Sequence, residues 1–159
     1  EEGRVAVDTM QQWLDCKAIA ETKARYFRSV DTFNLDGWLD VFTDDAVLEF
    51  DLTESGPGKP VPARYRIEGK PAIAEYWNSN SNRLQSVHHG HMPEIELVSP
   101  DEARVIWAME DRVEFTDATL HGFGHYHETY RKQDGRWLIA RMHLTRTRVD
   151  FTVKGRMGT

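Results

Sequence analysis

"GHYHETYRKQDGRWLIARMHLTRTRVD", residues 124–150, is two runs of alternating side chains on either side of a "QDGR" turn, the pattern of a β-hairpin. Tyr126, Glu128 and Tyr130 share one face of its first strand, and His125 and His127 share the other with His121 just upstream. The same period of two runs further back along the chain. Segments 85–98, 103–115, 119–132 and 136–150 are rich in Val, Ile, Thr and aromatics and are separated by "SPDE", "TDA" and "QDGR". That spacing predicts a four-strand antiparallel meander.

Before residue 84 the pattern is helical. Between residues 8 and 33, Trp13, Cys16, Ile19, Ala20, Phe27, Val30 and Phe33 fall mostly three or four apart, which predicts an amphipathic helix capped by Asp8 or Thr9. "NLDGWLDVFTDDAVLEF" gives a short helix ending near Phe42, a turn at residues 43–45 and a first strand through Phe50. Gly and Pro mark "TESGPGKPVP" as a loop, and the pocket's shape is expected to depend on residues 52–63. "GKPAIAEYWNSNSNRL" reads as a third helix, with Pro71 placed early where its missing N–H costs nothing. Helices first and a long sheet afterwards make the class α+β. Long strands curling around one long helix would form a cone with an open mouth, and such concave apolar spaces take small molecules.

Composition narrows the range of functions. The 159 residues fit one domain, residues 1–159, with a sizeable core, and 40% hydrophobic with 29% charged residues is the balance of a soluble globular chain. A net charge of −6 argues against a nucleic-acid partner, since the basic residues concentrate only in "RMHLTRTRVDFTVKGR". No apolar run is long enough for a membrane helix, and "EEGRVAVDTM" lacks the features of a secretory signal. The single cysteine, Cys16, excludes an intramolecular disulfide and reads as a packed thiol. A cytoplasmic location is therefore expected.

None of the seven histidines occurs before residue 88, and "VHHGHMPEIEL" holds His88, His89 and His91. Strict alternation would put His89 and His91 on the face of Ile95 and Leu97, and His88 on the opposite one. Pro93 cannot donate to a ladder and often marks a bulge, which would reverse that assignment. "HGHMPE" and "HYHE" superficially resemble histidine–carboxylate metal sites through His89, His91 and Glu94, or His125, His127 and Glu128. A cupin-type site would need a leading glycine where Arg83 stands.

"KARYFRSVDTFNLDGWLDVFTDDAVLEF", "IEGKPAIAEYW", "HHGHMPEIEL" and the closing hairpin, in that order and spacing, resemble the SnoaL-like members of the nuclear transport factor 2-like superfamily. The resemblance spans nearly the whole chain. It implies a cystatin-like α+β barrel, a cone-shaped curved mixed or antiparallel sheet wrapped around the long N-terminal helix. Relatives in this superfamily include ketosteroid isomerase, scytalone dehydratase, bile-acid dehydratase, hexachlorocyclohexane dehydrochlorinase, polyketide cyclases and non-catalytic members, so the fold leaves function open.

The family's dehydratases carry an aspartate at the end of the first helix and a histidine on the strand after the third. Asp31 in "RSVDTFN" and His88 in "VHHGHM" stand at the matching positions. The resemblance implies a His88 general base oriented by Asp31, with Tyr26 assisting the leaving oxygen or enolate. Tyr26 and Asp31 are about 140° apart around an ideal helix, so they converge only if the helix end unwinds. Trp107, Met109 and Tyr126 are expected as pocket walls, and Arg146 as a positive charge at the mouth, in competition with Arg141 and Arg148. The expected function is a lyase or isomerase, a dehydratase foremost, working on a hydrophobic cyclic or aromatic small molecule without metal or cofactor. The alternative is a non-catalytic small-molecule-binding or assembly module. A homo-oligomer is expected, a trimer ahead of a dimer.

Overall fold

A computed structural model describes residues 9–53, 62–79 and 83–154. In chain order the elements are α1 (Thr9–Asp31), α2 (Leu35–Leu39), β1 (Phe42–Thr53), β2 (Pro62–Glu68), α3 (Lys70–Ser79), β3 (Arg83–Ser99), β4 (Glu102–Phe115), β5 (Ala118–Gln133) and β6 (Arg136–Val153). The strands form one open, curved sheet in the order β2-β1-β6-β5-β4-β3. Among the described residues only β1 and β6 run parallel; every other pair is antiparallel. The class is α+β and mixed, with α1 packed against β3 and β6.

The β5–β6 hairpin pairs from Gln133↔Arg136 outward around Gly135, whose φ of +75° suits a glycine at the turn. Inward-facing Tyr126, Tyr130, Ile139, Met142 and Leu144 then enter the core. Helix α1 buries Asp15, Ile19, Thr22, Lys23, Tyr26, Ser29 and Val30 along one stripe. That stripe differs from the expected one, because Trp13 and Phe33 are exposed and four polar residues, Asp15, Thr22, Lys23 and Ser29, are buried in it. Three of them have side-chain partners far along the chain. Asp15 accepts from Trp137 Nε1 at 2.9 Å, the Thr22 hydroxyl donates to the Trp137 carbonyl at 2.7 Å, and Lys23 pairs with Glu128 at 2.5 Å. Buried polar groups with partners escape the desolvation cost that would otherwise forbid them.

Residues 43–45 belong to β1, where a register shift against β6 between Phe42 and Val47 replaces the expected turn. Strand β2 is not foreseen by local pattern, since it is a short edge strand that gains order by pairing with β1. Helix α3 stops at Ser79, and Arg83 and Leu84 already belong to β3. Of the two cap candidates, Thr9 is the first helical residue and Asp8 lies outside the described residues, as does most of the expected loop, residues 54–61. Among the described residues no helix is long and apolar enough to cross a membrane.

Candidate active site

The register of β3 decides what reaches the interior. His91 pairs with Ala108 but Glu94 pairs with Ile106, so three steps on β3 match two on β4. One residue is therefore extra at Met92–Pro93, where Met92 has a φ of +40°. The bulge lets Ser86, His88 and Gly90 face inward on one side of it while Ile95 and Leu97 face inward on the other. His89 and His91 consequently point to the outer face and are exposed.

Asp31 closes α1 and meets β3. Its carboxylate accepts from the Ser86 hydroxyl at 2.9 Å and from the His88 backbone N–H at 2.8 Å, and lies 2.7 Å from His88 Nδ1. Burial pushes the Asp31 carboxyl up, but the His88 ring, the His88 N–H and Ser86 together hold it below the usual carboxylate range. These contacts also offset the unfavourable placement of an acid at a helix C-terminus. With Nδ1–H donated to Asp31, a neutral imidazole carries its lone pair on Nε2.

His88 is opposite Asp111 across the β3–β4 pair, and its Nε2 lies 4.0 Å from Asp111 Oδ2. Asp111 is 3% exposed and forms a two-pronged pair with Arg146 at 2.7 and 2.8 Å. Gly122 makes room for this pair: a Cβ there would come within 2.3 Å of Arg146 Nη1 and 2.4 Å of Asp111 Oδ1. Arg146 thus borders the cavity with its charge paired to Asp111.

A cavity of about 290 Å³ lies beside His88. Tyr26, Trp38, Phe50, Tyr76, Trp77 and Tyr126 supply an aromatic wall, and His88, Asp111, Arg83 and Arg146 supply the polar groups. Tyr126 lines it as expected, whereas Trp107 and Met109 do not. Both are buried on β4, where the absence of a side chain at Gly90 lets the Phe27 ring pack beside Trp107. Met109 instead lies against Arg146, its Sδ 3.6 Å from Nη1.

Helix α1 continues through Asp31 without unwinding, so Tyr26 and Asp31 do not converge. Tyr26 enters the cavity wall among Phe27, Trp38, Phe42 and Tyr126. Among the described residues no hydrogen bond joins it to His88 or Asp31. Burial raises the Tyr26 hydroxyl well above its ordinary pKa, which keeps it a proton donor.

Two residues not anticipated as site members stand here. Asp111 follows Trp107 and Met109 in the inward phase of "RVIWAMEDRV", and an acid in an otherwise apolar inward phase is the signal that could have found it. Arg83 lies over the rings of Phe33 and Trp77 at 4.7 and 5.0 Å from their centroids, and its buried Nε has no partner. Nothing local in the sequence distinguishes Arg83 from a surface arginine.

The chain matches the SnoaL-like domain over residues 11–143. A candidate cyclase of Gibberella zeae is 23% identical over 132 residues, covering 80% of this chain and 88% of its own. Among solved structures, a candidate scytalone dehydratase from Novosphingobium aromaticivorans superposes with a TM-score of 0.77 at 20% identity, covering 89% of this chain and 90% of that one. A protein of unknown function from Mycobacterium tuberculosis gives 0.73 at 27% identity, with 89% and 76% covered. A hexachlorocyclohexane dehydrochlorinase from Novosphingobium barchaimii gives 0.73 at 16%, with 94% and 97% covered. With the domain match spanning most of its length, and an open α+β sheet of the kind those structures share, the chain belongs to the SnoaL-like family.

Proposed function

We propose that this protein is a lyase or isomerase that needs no cofactor, a dehydratase foremost, acting on a hydrophobic cyclic or aromatic small molecule. The observation that carries the reading is the Asp31 carboxylate 2.7 Å from His88 Nδ1, with His88 in the wall of an aromatic cavity. A carboxylate there orients the ring and stabilises the imidazolium once Nε2 has taken a proton. The family assignment and the cyclase-type and dehydratase-type relatives are consistent with it.

In this reading Nε2 of His88 removes a proton from the carbon next to a substrate carbonyl. The C–H electron pair moves into the ring system, and negative charge collects on the carbonyl oxygen. Arg83, whose Nε is unpaired, and the protonated Tyr26 hydroxyl are the donors that would meet that oxygen. Collapse of the enolate forms the C=C bond and expels the β-hydroxyl, which leaves as water with the proton returned from Nε2. Asp111, 4.0 Å from Nε2 and paired with Arg146, borders the space where the proton is transferred. Return of the proton to a different carbon would give isomerisation with the same groups.

The test is turnover of a panel of hydroxylated cyclic ketones and aromatic alcohols by the wild type, His88→Ala and Asp31→Asn. Loss of about 10²–10⁴-fold in kcat is expected for His88→Ala, the range for a positioned general base. Full activity in both variants would overturn the base assignment and leave a binding module.

A further inference from the structure

We infer that the outer face of the sheet carries a divalent transition-metal site, built for zinc by His89, His91 and Glu110 and separate from the cavity. The same bulge that sends His88 inward sends His89 and His91 outward, two residues apart on one face of β3. Glu110 on β4 is the direct cross-strand neighbour of His89, and Ala108 opposite His91 leaves the space above the strands open. One nitrogen from each ring and one Glu110 oxygen lie within 4.8 Å of one another. Around tetrahedral zinc, with metal–ligand bonds of about 2.0–2.1 Å, such atoms would be roughly 3.3 Å apart. Rotation of exposed side chains on a backbone fixed by strand pairing closes that difference.

A second feature orients the carboxylate. His121 on β5 lies diagonally across from Glu110, with its Nε2 2.7 Å from Glu110 Oε1. Glu110 therefore has one oxygen held by an imidazole, the kind of outer-shell contact that steers ligands in known metal sites. Imidazole and carboxylate together suit zinc, and three protein ligands leave a fourth position for water. The sequence alternatives do not assemble in this way. Glu94 lies beyond the bulge, and Glu128 faces the core, where it pairs with Lys23.

Calorimetric titration of zinc(II) into the full chain, free of any added histidine tag and near neutral pH, tests the site. One zinc per chain is expected. His89→Ala, His91→Ala and Glu110→Gln should each weaken binding by more than about tenfold, and His121→Ala by about tenfold, the lower end for an outer-shell partner. The substituted side chains are exposed or half-exposed, so circular dichroism and melting temperature without metal should not change. Bound cobalt(II) should show the intense visible absorption of a four-coordinate ion. Unchanged affinity in His89→Ala and His91→Ala would overturn the site, as would binding abolished instead by His125→Ala or His143→Ala.

Discussion

Arg83 and Arg146 both border the cavity, yet their guanidinium groups differ in what they have left to bind. Arg146 spends its paired donors on Asp111 in a space that Gly122 leaves open. Arg83 rests on two aromatic rings, and among the described residues it has no hydrogen-bond or ion-pair partner. The two should therefore fail differently. Arg83→Met, which keeps the apolar stem on the rings, should lower kcat by about 10²-fold, the cost of one oxyanion donor, with the urea midpoint nearly unchanged. Arg146→Met strands Asp111 without its cation and should cost about 3–5 kcal/mol of stability. Steady-state kinetics and urea titration of both variants separate these outcomes. A family resemblance pointed to an arginine on the last strand; the competition between Asp111 and substrate for that arginine appears only when β4, β5 and β6 lie side by side.

The elements around the site depend on one irregular residue. A strand has a side-chain period of two, so one inserted residue exchanges the faces of everything beyond it. Met92 is that residue, at a φ of +40° and 88% exposed, contributing almost nothing through its own side chain. Deleting Met92 should force either His88 or the Ile95 and Leu97 pair outward, with a loss of several kcal/mol or of the His88–Asp31 contact. Met92→Ala keeps the bulge and should stay within about 1 kcal/mol of the wild type, as exposed substitutions do. Denaturant midpoints of the two variants make the comparison. Pro93 announces a possible bulge in the sequence, but the direction of the pleat depends on which β4 residue each β3 residue meets. Strand β2 is likewise not legible locally: it is a short edge strand whose order comes from pairing with β1.

For the molecule as a whole, the centre of the fold is charged. Lys23 and Glu128 are both almost wholly inaccessible and 2.5 Å apart, and the Tyr130 hydroxyl donates to the second Glu128 oxygen at 2.7 Å. Lys23 Nζ also sits 4.1 and 3.5 Å from the ring centroids of Tyr26 and Tyr126, two walls of the cavity. Burial pushes the Lys23 ammonium down to about 8 against the pull of Glu128. Glu128→Gln leaves that ammonium unpaired and should cost about 3–5 kcal/mol at neutral pH. The sign of its pH dependence follows from proton counts. Without Glu128 the folded state releases the Lys23 proton at a lower pH, while the unfolded chain holds it to about 10.4. Folded variant then binds fewer protons than unfolded variant, so its stability rises with pH. The deficit against wild type should shrink as the pH is raised towards 8 and level off above it, where the wild type releases the same proton. Urea midpoints measured across that range check it.

Sequence alone determined the class and the order of the helices and meander strands, because these rest on periods and turns that neighbouring residues carry; the candidate pair Asp31 and His88 was implied by the resemblance to the SnoaL-like family. It left the face of each histidine open, put Trp107 and Met109 beside Tyr126 in the pocket wall, which only Tyr126 lines, and missed the polar part of the buried stripe of α1. Those depend on partners far along the chain. Lys23 is legible as a core residue only beside Glu128, Arg146 as compensated only beside Asp111, and His89 as outward only once the bulge sets the register against β4. Burial and charge compensation are pairwise properties, and only the tertiary structure brings the pairs together.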